Sequence, residues 1–110
     1  LTAVADDRLE SAELRRLRRR IDALDRKIVA LLNERAELAR AAGAAKRAAG
    51  RRAIRDGQRE REVLLRVTMA NTGPLPQAEL LALYRRLMAA TRALEARDRE
   101  RAGPGGNGEG

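Results

Sequence analysis

The side chains available for chemistry in this 110-residue chain are chiefly cations and carboxylates. It contains neither Cys nor His, which removes thiol nucleophiles, disulfides, imidazole acid/base catalysis and the common zinc sites. What cations and carboxylates can do, once withdrawn from water, is hold a small anion and stabilise charge that develops within it. The first sign of such a withdrawal is Arg35. Apolar residues recur at Leu14, Leu17, Ile21, Leu24, Ile28, Leu31, Leu38 and Ala42, the alternating 3,4 spacing of a helix packed along its length. Arg35 occupies the position where that seam calls for another Leu or Ile. An unpaired buried guanidinium is strongly destabilising, so Arg35 requires either an acidic partner or an anionic ligand.

Other polar residues fall on inward helix faces. Lys46 lies 11 residues after Arg35, about 20° round the helix and ~16 Å along it. Arg59 and Glu60 precede Val63, Leu64 and Val67 by three, four and seven residues, which turns the pair inward or nearly so. Thr91 and Glu95 continue the stripe of Tyr84, Leu87 and Met88. Two readings stand side by side. In one, Glu60 and Glu95 neutralise Arg35 and Lys46 in a buried network. In the other, three inward cations (Arg35, Lys46, Arg59) outnumber those two carboxylates and leave a cavity suited to a small dianion. Arg18 lies 17 residues before Arg35, about 25 Å away and roughly 100° off its face. One chain cannot bring both to one small ligand, but two long helices paired antiparallel can. Taken alone, Arg18 within LRRLRRR is a solvated basic face.

The elements that position these residues read as helices. One aromatic, Tyr84, leaves Leu, Ile, Val and Ala to build the core of a single all-α domain. A first helix over about 7–48, capped by Asp6 and Asp7, passes through Gly43 and exits at Gly50. Its roughly 40 residues would span about 60 Å, against a radius of gyration of about 13 Å for a 100-residue domain. Its own chain cannot cover it, so a second copy is expected. Asp56 is the N-cap of a helix over 56–71, Pro74 and Pro76 mark a turn, and a third helix occupies 76–99. The helical domain is thus expected over 1–98. The Gly-rich segment 99–110 reads as disordered by composition.

Formal net charge of +8 predicts attraction to anions without naming them. Lysine occurs only at Lys27 and Lys46, so the Arg excess reflects compositional bias as much as function. The apolar runs fall short of a membrane span, and Leu1 to Glu10 lacks a basic segment followed by an apolar one; a cytoplasmic protein is expected. A basic helical nucleic-acid-binding or coiled-coil protein would account for the charge and for LRRLRRR. It lacks stacking aromatics and gives Arg35, Lys46, Glu60 and Glu95 no purpose.

The succession LRRRIDALDRKIVALLNERAELA, GAAKRAAG, IRDGQRERE and LYRRLMAATRALE, covering Leu14 to Glu95, resembles the all-helical (type II) chorismate mutases. Its elements are an Arg before the Ile-Asp pair, the heptad with an Arg inside, a Lys after the Gly, the D-x-x-R-E run, and a hydroxyl and a Glu four residues apart. The resemblance implies three helices per chain, one very long, in an intertwined six-helix homodimer with two equivalent sites. It implies a monofunctional isomerase that rearranges chorismate to prephenate in Phe and Tyr biosynthesis, with no cofactor and no metal. By the same resemblance Arg35 and the second copy's Arg18 hold the substrate carboxylates, and Arg59 adds positive potential. Lys46 and Glu95 bind the ether oxygen, Asp56 and Glu60 orient the ring hydroxyl, and Thr91 touches a carboxylate or its water. An isochorismate pyruvate lyase of the same fold uses nearly the same pocket. The partners implied are the chorismate dianion and a second copy, without nucleic acid or membrane, and the resemblance admits activation by another shikimate-pathway enzyme.

Overall fold

Among the described residues there are three α-helices, in the order α1 (Ala12–Ala48), α2 (Gly57–Ala70) and α3 (Gln77–Gly108). The computed structural model describes residues 11–51 and 56–108, the last five of these as backbone only. Every regular element among the described residues is helical, and α1 alone has 37 residues. Asp6 and Asp7, the expected cap, lie outside the described residues. Within them, Ser11 caps α1: its Oγ accepts the Leu14 N–H at 3.1 Å and its carbonyl accepts the Arg15 N–H at 3.1 Å.

The far end of α1 closes where the sequence placed it. Arg51 N–H donates to the Lys46 carbonyl and Gly50 N–H to the Arg47 carbonyl, both at 2.9 Å. This paired closure needs a residue in the left-handed region, and Gly50 supplies it at φ 84°. Gly43 remains helical and is buried.

Asp56 and Asn71 bracket α2. The Asp56 carboxylate accepts the Arg59 N–H at 3.0 Å. Asn71 donates its own N–H to the Val67 carbonyl, and its side-chain amide donates to the Leu75 carbonyl at 3.1 Å and to Gln77 Oε1 at 2.8 Å. Gly73 N–H returns to Asn71 Oδ1 at 2.9 Å. One side chain therefore ties the end of α2 to the start of α3 across the turn containing Pro74 and Pro76, in which the Gly73–Pro74 peptide is cis.

Where composition suggested disorder from residue 99, helix α3 continues. Arg99, Glu100, Arg101 and Ala102 are good helix formers, and the regular dihedrals first break at Gly103 (φ 62°, ψ 169°), immediately before Pro104. The helix is recorded to Gly108 beyond that break.

The chain divides into two compact units, Leu1–Arg35 and Ala36–Gly110, so that α1 contributes to both. In the first unit the apolar seam is uncovered: Leu17, Ile21, Leu24, Ile28 and Leu31 are all exposed. In the second unit α2 packs on α3, and the end of α1 meets α3 through Arg40 and Gly43. Its part-buried positions on α1 are Ala36, Ala39, Arg40, Lys46 and Arg47 around the buried Gly43. Leu38, a member of the expected seam, remains 67% exposed, and Ala42 is exposed too. The face α1 uses within its own chain is thus rotated roughly 100° from the leucine seam. On α3, Leu80, Leu81, Tyr84, Leu87, Leu94 and the buried Met88 supply the apolar stripe.

A substitution at Gly50 tests the closure of α1. Adding a side chain to a left-handed residue costs about 1–2 kcal/mol, so Gly50→Ala should lower stability by that amount in urea unfolding, with circular dichroism as the readout.

Candidate active site

Two ion pairs organise the polar interior of the second unit. Arg40, on α1, reaches Asp98 on α3 with both prongs of its guanidinium, Nε to Oδ2 at 2.9 Å and Nη2 to Oδ1 at 3.0 Å. Arg92 on α3 donates through Nη1 to Glu60 Oε2 on α2. The Asp98 and Glu60 side chains are each only 16% exposed. Bidentate and charge-assisted contacts of this kind hold a carboxylate in one orientation as well as neutralising it.

Between these two pairs lies Glu95. On α3 it is three residues from Arg92 and three from Asp98, so the three side chains occupy successive turns of one helix side. Its side chain lies across the backbone of α1 at Gly43: a β-carbon built on that glycine would stand 3.6 Å from both Cγ and Cδ of Glu95. Lys46, one turn further along α1, is part-buried.

Asp56 has a double engagement. One carboxylate oxygen caps α2, and the other lies 3.8 Å from Arg51 Nη2. The cap hydrogen bond from Arg59 N–H holds its carboxyl below the ordinary carboxylate range, with the charges of Arg51 and Lys46 adding to the effect and burial opposing it. Asp98 is held low in the same way, first by the Arg40 hydrogen bond and then by the charges of Arg40, Arg47 and Arg101. The Arg40 guanidinium is correspondingly raised.

Of the residues singled out in the sequence, Lys46, Asp56, Glu60, Thr91 and Glu95 are all part-buried in the second unit. Thr91 donates its hydroxyl to the Leu87 carbonyl at 3.0 Å, which leaves the hydroxyl oxygen as an acceptor. Arg35 is part-buried and Arg18 exposed; both belong to the first unit.

Arg59 departs from the expected inward orientation. Its side chain is 57% exposed and pairs along the helix with Glu62 at 3.7 Å. The part-buried positions of α2 are Gly57, Glu60, Val63, Leu64, Val67 and Thr68, and Arg59 stands about 100° round the helix from Glu60. The spacings of three and four that place Glu60 on that face leave its neighbour at the side.

Reading α1 by its leucine heptad alone passed over Arg40, and reading α3 for hydroxyl and carboxylate passed over Arg92 and Asp98. The signal for them was present in the i, i+3 register. Arg40 is three residues before Gly43, and Arg92 and Asp98 flank Glu95 at the same interval. Two pairs that the sequence reading did not foresee are present: Glu60 pairs with Arg92, and Arg40 with Asp98.

Among the described residues no helix is long and apolar enough to cross a membrane. Comparison with known proteins finds a match between residues 17–96 and the family described as chorismate mutase type II. The chain is 39% identical over 87 residues to a bifunctional chorismate mutase/prephenate dehydratase of Aquifex aeolicus, and 41% identical over 78 residues to a protein of the same description from Neisseria gonorrhoeae. These alignments cover 76% and 71% of the chain but 24% and 21% of the relatives, so the chain spans about a quarter of the length of the curated relatives it matches. A solved structure described as chorismate mutase (form II) from Thermus thermophilus superimposes with a TM-score of 0.73 at 32% identity. That match covers 77% of this chain and 96% of the other.

The depressed Asp98 carboxyl has a consequence for acid stability. A carboxylate whose folded pKa lies below its unfolded value stabilises the fold at pH above the ordinary range near 4, and that contribution is lost as pH falls through the folded value. Melting temperature should therefore drop as the protein is taken below about pH 4. Asp98→Asn should be less stable at neutral pH and should show a shallower acid decline. Parallel acid profiles for the two proteins would contradict the assigned role of the Arg40–Asp98 pair.

Proposed function

The chain belongs to the chorismate mutase type II family and carries its isomerase domain, and on that premise we propose that it rearranges chorismate to prephenate by conformational restriction and electrostatic stabilisation. The observation that carries this reading is the set of part-buried polar residues gathered from three helices, Lys46 on α1, Asp56 and Glu60 at the start of α2, and Thr91 and Glu95 on α3. These are the residues to which the family resemblance assigns substrate contacts. None is a nucleophile, and the reaction requires none.

In this Claisen rearrangement one C–O bond breaks as one C–C bond forms, and negative charge grows on the ether oxygen. An extended, flexible dianion must first be folded into a compact chair-like conformer, which fixed cations at its two carboxylates accomplish. Arg35 and Arg18 of a second copy take that task. Lys46 donates to the ether oxygen, where a preorganised charge stabilises the transition state more than the substrate. Glu95 donates to the same oxygen when protonated. Asp56 and Glu60 orient the ring hydroxyl, and Thr91 meets a carboxylate through an intervening water. With its side chain turned outward, Arg59 contributes at most long-range potential.

The apolar seam also supports a second copy. Leu17, Ile21, Leu24, Ile28 and Leu31 stand uncovered, and complete burial of each is worth about 1.5–3 kcal/mol. Within the chain, among the described residues, Met88 is the one buried large hydrophobic side chain. We infer a homodimer formed through α1, acting in the cytoplasm on a soluble metabolite.

Following chorismate loss and prephenate formation with the purified protein tests the assignment. Lys46→Ala should lower kcat by about a hundredfold or more, and Arg35→Ala should raise KM as well as lower kcat. Release of pyruvate from isochorismate, with no prephenate formed from chorismate, would make the activity a lyase. Mixed and refolded together, the inactive Arg18→Ala and Lys46→Ala proteins should regain turnover, because a hybrid dimer reunites the intact residues in one site. If the mixture stays inactive, Arg18 does not act across copies.

A further inference from the structure

We propose that Arg92 is a positioning residue of this site, holding Glu60 in the orientation its proposed contact with the substrate hydroxyl requires. The inference rests on the reading given under Proposed function and adds to it a residue which that reading does not use.

The argument starts from the contact. Arg92 Nη1 donates to Glu60 Oε2 across the interface of α3 and α2, with the two side chains 29% and 16% exposed. A glutamate has three rotatable side-chain bonds, and at the first turn of a helix it can swing between neighbours. Tying one carboxylate oxygen to a cation on another helix selects among those rotamers before any ligand arrives. Glu60 is also the polar member of the α2 face that contains Val63, Leu64, Val67 and Thr68, so its carboxylate is directed into the unit instead of into water.

The position of Arg92 in α3 strengthens the case. It immediately follows Thr91 and precedes Glu95 by three residues, so it belongs to the same stretch of helix as two residues proposed to meet the substrate. Sequence reading expected Arg59 to bring positive charge to this end of the site. A guanidinium that does approach Glu60 is that of Arg92, while Arg59 pairs with the exposed Glu62.

A purely structural pair would move stability and leave turnover alone, which sets the experiment. Steady-state kinetics with chorismate are measured, below each protein's melting temperature, for the parent, Arg92→Met, Arg92→Lys, Glu60→Gln and the Arg92→Met/Glu60→Gln double variant. Arg92→Met is expected to lower kcat/KM about tenfold or more, the usual effect of losing one charge-assisted hydrogen bond. Glu60→Gln should do likewise. The double variant should be no worse than the poorer single, because Arg92 acts only through Glu60. Arg92→Lys, which keeps the charge and one donor, should recover part of the loss.

Turnover by Arg92→Met equal to that of a folded parent, or losses that multiply in the double variant, would overturn the inference while leaving the mutase assignment intact. Absence of prephenate formation by the parent itself would overturn the assignment, and the role of Arg92 with it. Should Arg92→Met fail to fold, Arg92→Lys and Glu60→Gln decide: unchanged kcat/KM in both removes the role.

Discussion

Charge carried inside a helical protein must be matched at the distance of a hydrogen bond, and the bidentate Arg40–Asp98 contact is where this chain meets that demand most fully. Two parallel N–H···O bonds at 2.9 and 3.0 Å fix the approach of α3 to the end of α1 as well as its rotation. With that register set, Glu95, one turn before Asp98, comes to rest beside Gly43, where even an added β-carbon would stand at ordinary contact distance, 3.6 Å, from its side chain. Arg92, a further turn back, points toward α2 and meets Glu60. Three polar residues at three-residue intervals on α3 thereby reach two different helices. The carboxylate placed between two ion pairs is the one for which the proposed mechanism needs a defined position.

The same arrangement separates two functions of α1. Around the buried Gly43, Ala39 and Ala36 are small enough for side chains from α3 to approach, and Arg40 and Lys46 bring charge to that face. Leu38 and Ala42, roughly 100° away, stay outside. Small residues and cations face inward within the chain, and the large aliphatic residues face outward. This inverts the usual pattern for a monomeric domain and is the physical reason the proposed function includes a second copy.

Termini and turns show how little of this is left to long-range effects. Ser11, Gly50, Asp56 and Asn71 each satisfy backbone groups that the adjoining helix leaves unpaired. Asp56 does so while standing under the positive charges of Arg51 and Lys46, so that the start of α2 is tied to the end of α1 electrostatically. The polar residues near the proposed site therefore serve the fold as well as the chemistry.

By itself the sequence determined the three helices, their order, the exit at Gly50, the cap at Asp56 and the family, because these follow from local propensity, short-range hydrogen bonding and the spacing of residue types along one chain. It also determined that Glu60 and Glu95 face inward, since each continues an apolar stripe. Only the tertiary structure decided the partners. Arg40 chose Asp98 over Glu37, its neighbour one turn earlier, to which it makes only a longer contact at 3.4 Å. Arg92, not Arg59, reached Glu60, and the leucine seam was left uncovered while the face of Gly43 packed. Helical periodicity defines faces to within a residue or so, and neighbouring arginines on a wheel differ by 100°. Which of them meets a carboxylate depends on the approach of another helix, a quantity that no spacing within one helix contains.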